Sequence, residues 1–321
     1  MYEVLGLEKN KYLTDSMMNL SDIFIYALKK LDGFNEINIH KAIKLANNDV
    51  VETLDDFIDF INFNIEDNRF ENITQPFKKE IIKKAVEKAL KNKDDIVHYI
   101  DPTDESFPKK MSIEQMGELP LFMYKGNLGN FKRKTILITG SPTVSDNARL
   151  ASCYIGKILA SNGYNILSSF SSECEQNAIK GCKEARGLSS FFLSHSIENL
   201  TSEEKEVIQN ELDSKRSVII SDLDYASSND KPIDNAIKYT MALADCIIIP
   251  QIRNADYIFD CVKKYNKSNT PIFLVKYKTT FNKEYDCIKI LESLGMMYLT
   301  SNTVLKQVKD SIGEAIIDDA K

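Results

Sequence analysis

Residues 135–145 read Thr135-Ile136-Leu137-Ile138-Thr139-Gly140-Ser141-Pro142-Thr143-Val144-Ser145. An apolar strand runs into a Gly-Ser turn, and the turn runs into a helix. The same cycle recurs downstream. Short apolar runs occupy Thr135–Thr139, Asn165–Ser169, Ser189–Leu193, Ser217–Ser221, Cys246–Pro250 and Ile272–Val275. A helical stretch follows each, starting near Val144, Glu173, Thr201, Pro232, Ala255 and Glu284. Val218-Ile219-Ile220 and Ile247-Ile248-Ile249 are apolar on both faces, which a parallel strand covered by helices on both sides requires. Strand–helix alternation of this length predicts an α/β fold with a doubly wound parallel sheet. Its ligand site is expected at the carboxyl ends of the strands, where the chain order reverses.

Upstream the pattern is helical. Ile23, Phe24, Ala27, Leu28 and Leu31 form one apolar face behind Ser21, a capping residue. Ile39, Ala42, Ile43 and Ala46 form a second at i, i+3, i+4, i+7. A third helix is expected near Leu54–Phe63, and a fourth from Pro76. The fourth sets Ile81, Ile82, Ala85, Val86 and Ala89 against Lys78, Lys79, Lys83, Lys84 and Lys88. That basic face suits either a polyanion or plain solvation. Between the helices and the sheet pattern, Pro102, Pro108, Pro120, Gly126 and Gly129 mark an extended connector. The expected division is a small all-helical domain over 1–95, a connector packed on the next domain over 96–133, and the sheet domain over 134–321.

The chain has 321 residues, 41 Lys+Arg and 47 Asp+Glu, for a formal net charge of −6. A uniformly basic coat for nucleic acid is excluded, although a local basic patch is not. Its 12 glycines fall at about half the usual share of roughly 7%. The 6 cysteines form no C-x-x-C pair and only 3 histidines exist, so no metal site is expected. No apolar run approaches the ~20 residues that cross a bilayer. The expected setting is cytoplasmic, with reduced thiols.

Candidate chemistry lies at the strand exits. Gly140-Ser141 ahead of Ser145 can aim backbone N–H groups at an anion, or can simply turn a strand into a helix. It is neither G-x-G-x-x-G nor a Walker A loop. The next exit reads Ser168-Ser169-Phe170-Ser171-Ser172. Its hydroxyls fit phosphate oxygens, and Ser171 or Ser172 equally fits a cap ahead of Glu173. Asn235 and Lys238 stand near the start of a later helix, and Gln251-Ile252-Arg253-Asn254 follows the strand Cys246–Pro250. Glu173 and Glu175, at i and i+2 of one helix, do not share a face, so they make no paired-carboxylate site. His195 reads as a loop residue. No catalytic residue and no cofactor is expected.

Together these pieces resemble the DNA-processing protein A (DprA, or Smf) family over roughly Asp95 to Lys278. Tyr99, Asp101, Phe107, Pro108 and the run Leu119-Pro120-Leu121-Phe122-Met123-Tyr124-Lys125-Gly126-Asn127-Leu128 are similar to the family's entry motif. Ile138-Thr139-Gly140-Ser141 with Ser145, Gly163 through Ser168, Ser221-Asp222, Leu243 through Ile249 and Thr270 through Val275 resemble its successive strand ends. The departures fall on the ligand side. Pro142 stands where the family has Arg, Ser169 and Glu173 replace glycines, and Glu175 stands near its Asp. The family's R-N-R helix start is largely lost, with Lys238 in one register and Asn235 in the other. The N-terminal helices resemble the family's sterile-alpha-motif-like or helix–hairpin–helix-like domain, and a plain helical bundle fits them equally. The winged helix of some members is not expected after Leu299.

The resemblance implies a Rossmann-like sheet that holds single-stranded DNA by its backbone, hands it to a recombinase of the RecA type in transformation or recombination, and acts as a homodimer, away from membranes. The candidate contacts are Gly140, Ser141, Ser145, Ser168, Ser169, Ser171, Asn235, Lys238 and Arg253. Two other readings remain open. One is a paralogue that keeps the fold for protein–protein contact. The other is a nucleotide-binding enzyme of the phosphoribohydrolase type, although P-G-G-x-G-T-x-x-E is absent and Pro250-Gln251-Ile252-Arg253-Asn254 holds its place.

Overall fold

Strands β3 (Thr135–Ile138), β4 (Asn165–Ser168) and β7 (Cys246–Ile249) are buried at every residue, as their two-faced apolarity requires. A computed structural model describes residues 22–46, 51–91, 97–100, 122–195, 197, 200–222, 232–265, 270–277, 288–300 and 303–313. The chain divides into two compact units. One comprises residues 1–107, 116–125 and 222–229, and the other residues 108–115, 126–221 and 230–321.

In the second unit the strands run parallel in the order β6-β5-β4-β3-β7-β8-β9. The remaining strands are β5 (Leu188–Leu193), β6 (Ser217–Asp222), β8 (Ile272–Val275) and β9 (Met297–Leu299). The chain winds one way from β3 to β6 and the other way from β7 to β9. The topological switch point therefore lies between β3 and β7, which pair Ile136 with Cys246 and Ile138 with Ile248. The fold is the expected doubly wound Rossmann-like sheet.

The helices of this unit are α5 (Asp146–Ser161), α6 (Glu173–Glu184), α7 (Ser202–Asp213), α8 (Pro232–Leu243), α9 (Tyr257–Tyr265), α10 (Ile288–Ser293) and α11 (Val304–Ile312). Helix α5 starts two residues later than the sequence suggests. Ser145 is its cap, and the Ser145 Oγ accepts from the Ala148 amide at 3.4 Å. Around the β7–β8 half of the sheet, Ile237, Met241, Ile258, Val262 and Leu291 pack against Ile247, Ile249 and Leu274.

The first unit holds α1 (Asp22–Leu28), α2 (Glu36–Ala46), α3 (Leu54–Glu66) and α4 (Lys79–Lys91). A capping box fixes the start of α3. The Thr53 amide donates to the Asp56 carboxylate at 2.8 Å, and the Asp56 amide donates to Thr53 Oγ1 at 3.1 Å. Helix α4 buries Ile82, Ala85, Val86 and Ala89 and exposes the lysines, as its periodicity predicts, but Ile81, expected on the apolar face, is exposed. It begins at Lys79 rather than at Pro76. Within the span read as an extended connector, β1 (His98–Ile100) pairs antiparallel with β2 (Phe122–Gly126), a pairing the sequence reading did not foresee. Three residues are too few to show a period, and their partner is distant in sequence. The buried Asp22 carboxylate accepts from the Tyr99 amide at 3.2 Å and lies 2.7 Å from His98 Nδ1. Ser21, the prolines of the connector and the expected helix start at Glu284 lie outside the described residues.

Candidate nucleic-acid interface

The loop after β3 and the loop after β7 meet at the switch point. The Ser141 amide donates to the Gln251 carbonyl at 3.1 Å, and the Arg253 amide donates to Ser141 Oγ at 2.8 Å. The Ser145 amide donates to Gln251 Oε1 at 2.8 Å. Gln251 is itself buried, at 4% exposure. Gly140 is required here by close approach, since a Cβ would stand 2.2 Å from the Gln251 carbonyl oxygen and 3.1 Å from Cys174 Sγ. The two loops are thus hydrogen-bonded to each other at the switch point.

Beside this seam the entrance to α5 is occupied from within the chain. The Val144 amide donates to Glu173 Oε2 at 2.8 Å. Arg149 meets the same carboxylate twice, Nε to Oε2 at 3.0 Å and Nη2 to Oε1 at 3.0 Å, and also pairs with Asp146. The Val144 hydrogen bond, and then the Arg149 guanidinium, hold the Glu173 carboxyl below its ordinary pKa. A helix entrance that attracts anions has here recruited a carboxylate of its own.

Glu175, 1% exposed, lies under the exits of β3 and β4. Its Oε1 accepts from Thr139 Oγ1 at 2.6 Å, Ser171 Oγ at 2.8 Å and Ser172 Oγ at 3.4 Å. Its Oε2 accepts from the Ser169 amide at 2.5 Å, Ser169 Oγ at 2.9 Å and Ser168 Oγ at 3.3 Å. Phe170 turns the chain with φ of +59°, and its amide donates to Ser168 Oγ at 3.0 Å. Ser172 caps α6 by accepting from the Glu175 amide at 3.2 Å. The sequence did carry a trace of this arrangement, because Ser172-x-x-Glu175 has capping-box spacing. That the carboxylate would draw on Thr139 and the neighbouring serines could not be seen without the sheet register.

Of the candidate contacts, Gly140, Ser141 and Ser145 lie in the seam, and Ser168, Ser169 and Ser171 face Glu175. Arg253 follows β7 and pairs with Asp256, Nε to Oδ2 at 3.1 Å, with a third of its side chain exposed. Lys238 is exposed on α8, whose inner face carries Ala236, Ile237, Thr240 and Met241. Asn235 lies in the first turn of the same helix, and its side chain is outside the described residues. Glu173 and Glu175 do diverge, as their spacing predicts. His195 lies past the end of β5, with Nε2 3.1 Å from a Glu204 carboxylate oxygen.

Among the described residues no cluster of three or more His, Cys, Asp or Glu could hold a metal ion, and no helix is long and apolar enough to cross a membrane.

A search of curated proteins finds no match. Among solved structures, DNA processing protein A from Helicobacter pylori, described for a unique single-stranded DNA binding mode, aligns with a TM-score of 0.55 at 17% identity, covering 67% of this chain and 97% of its own. DNA processing protein A (DprA) from Streptococcus pneumoniae aligns with a TM-score of 0.55 at 14% identity, covering 90% of this chain and 98% of its own. At these identities the two structures establish the fold. The family model described as DNA recombination-mediator protein A matches residues 98–308, a span that includes every strand from β1 to β9. On that match, the chain belongs to the DNA recombination-mediator protein A (DprA) family.

Proposed function

We propose that the protein binds single-stranded DNA by its sugar–phosphate backbone and delivers it to a recombinase of the RecA type, as a homodimer acting in DNA processing, natural transformation or recombination. The observation that carries this reading is the family match across the whole sheet, together with the single-stranded DNA binding stated for the Helicobacter pylori protein of the same fold. Among the candidate contacts, the cations supply the attraction: Arg253, directly after β7, and Lys238, exposed midway along α8. Phosphate contacts of this kind set affinity with little base preference. The reading involves no catalytic step.

Fluorescence anisotropy with oligo-dT tests it. Binding at about micromolar affinity or better in ~50 mM salt is expected, falling steeply as salt rises, because single strands release counterions with a slope of about 0.7 per phosphate contact. Absence of binding in the same low salt overturns it. A second reading has its own support: Gln251, Glu173 and Glu175 already occupy the polar groups of the strand-end loops, which suits a scaffold retained for protein contact. It is the reading left standing by that negative result.

A further inference from the structure

We infer that the hollow at the tips of β3 and β4 is an anion-binding site whose ligand is the chain's own Glu175 carboxylate. A phosphate group is thereby excluded from it, and Ser168, Ser169 and Ser171 are not DNA contacts. The inference goes beyond the proposed function, and its first test does not depend on it.

The donors come from two segments: Thr139, directly after β3, and the run from Ser168, the last residue of β4, through Ser169 and Ser171 to Ser172, the cap of α6. Thr139, Ser168, Ser169 and Ser172 are all more than nine-tenths buried. A carboxylate removed from water is costly unless hydrogen bonds replace its hydration. Here they do: five hydroxyls and the Ser169 amide converge on two oxygens, with distances down to 2.5 Å. Charge-assisted bonds of this kind are shorter and stronger than neutral ones. The partners are hydroxyls and an amide, so the hollow is not a salt bridge. It presents donors to negative charge, which is also what a phosphate or a free carboxylate would require. The Ser169 amide can only donate, so a neutral side chain in the same place would satisfy the ring less well.

Chemical rescue tests the assignment. Glu175→Ala should lower Tm by about 6–10 °C, since it leaves buried donors without an acceptor. Sodium formate or acetate at tens of millimolar should restore at least half of that loss. Sodium chloride at equal ionic strength should not, and the wild type should gain nothing comparable. Rescue absent, or equal with chloride, overturns the inference. Should E175A fail to fold, Glu175→Gln decides: it keeps the size and removes the charge, and should melt several degrees below the wild type without carboxylate rescue. E175Q as stable as the wild type overturns the inference. A second arm uses oligo-dT. The double variant S169A/S171A should bind within about twofold of the wild type with the same salt slope. A loss of tenfold or more with a shallower slope would make the serines phosphate contacts and overturn the assignment. If the wild type binds no DNA, the single-stranded DNA reading falls, while the rescue arm still decides the Glu175 assignment.

Discussion

At the scale of single residues, Gly140 and Glu173 have the most sharply defined roles. A methyl at Gly140 would overlap the Gln251 carbonyl, a backbone atom that cannot swing aside. Gly140→Ala should therefore cost about 3 kcal/mol, an overpacking penalty visible as a lower urea midpoint at unchanged m. A G140A midpoint equal to the wild type would mean that the seam opens freely. Glu173 carries the acid dependence of the α5 entrance. Its carboxyl is held below the ordinary range by the Val144 amide and then by Arg149. The stability it adds is present above the unfolded-state pKa of roughly 4.3 and is lost as pH falls through the lower folded value. The gap between wild type and Glu173→Gln should thus be widest near pH 6 and shrink toward pH 3 in a series of urea midpoints. A gap that stays constant with pH would contradict the assignment. Lys238 could be read from the sequence as a surface cation. Glu175 reads locally only as a carboxylate in the first turn of a helix, because its partners include Thr139, 36 residues earlier, and no local pattern discloses a contact of that range.

At the scale of elements, α5 and α6 are set by two small residues facing opposite ways. A Cβ on Gly156 would lie 2.4 Å from the Ala178 carbonyl oxygen, and one on Gly181 would lie 2.0 Å from the Cys153 carbonyl oxygen. The helix backbones therefore touch where each lacks a side chain, and α6 brings Glu173 and Glu175 to the strand exits from that position. Gly181→Ala should push the helices apart and cost about 3 kcal/mol, lowering Tm by roughly 6–12 °C. An unchanged Tm would show that the crossing tolerates a methyl group. The strands of the sheet were legible because each is a dense apolar run, and β3 to β8 fall within a residue or two of their predicted spans. Strands β1 and β9 were not, since three residues carry no readable period. Helix α4 was displaced by three residues because Pro76 marks a permissible start rather than an obligatory one.

At the scale of the whole molecule, the thiols report on its folding. Cys174, Cys182, Cys246 and Cys261 are buried, and Cys153 is half-buried. Burial pushes the Cys174 thiol up to about 12 and raises Cys246 as well. In a variant lacking Cys153 and Cys287, a disulfide reagent should label native protein slowly, at a rate that rises with urea in step with unfolding. Fast labelling of that variant in buffer would show that the sheet core opens locally. The net charge of −6 also bears on the molecule as a whole: association with a polyanion must draw on a local set of cations against the overall charge.

The amino-acid sequence alone determined the class of fold and the alternation of β3 to β8 with their helices. Burial of apolar side chains follows periods of two and 3.6 residues, and such periods are written locally. Only the tertiary structure decided which acceptors the donors at the strand ends meet. Hydrogen-bond donors take whichever acceptor the fold brings near, and Glu175 and Gln251 reach Thr139 and Ser145 across 36 and 106 residues of chain.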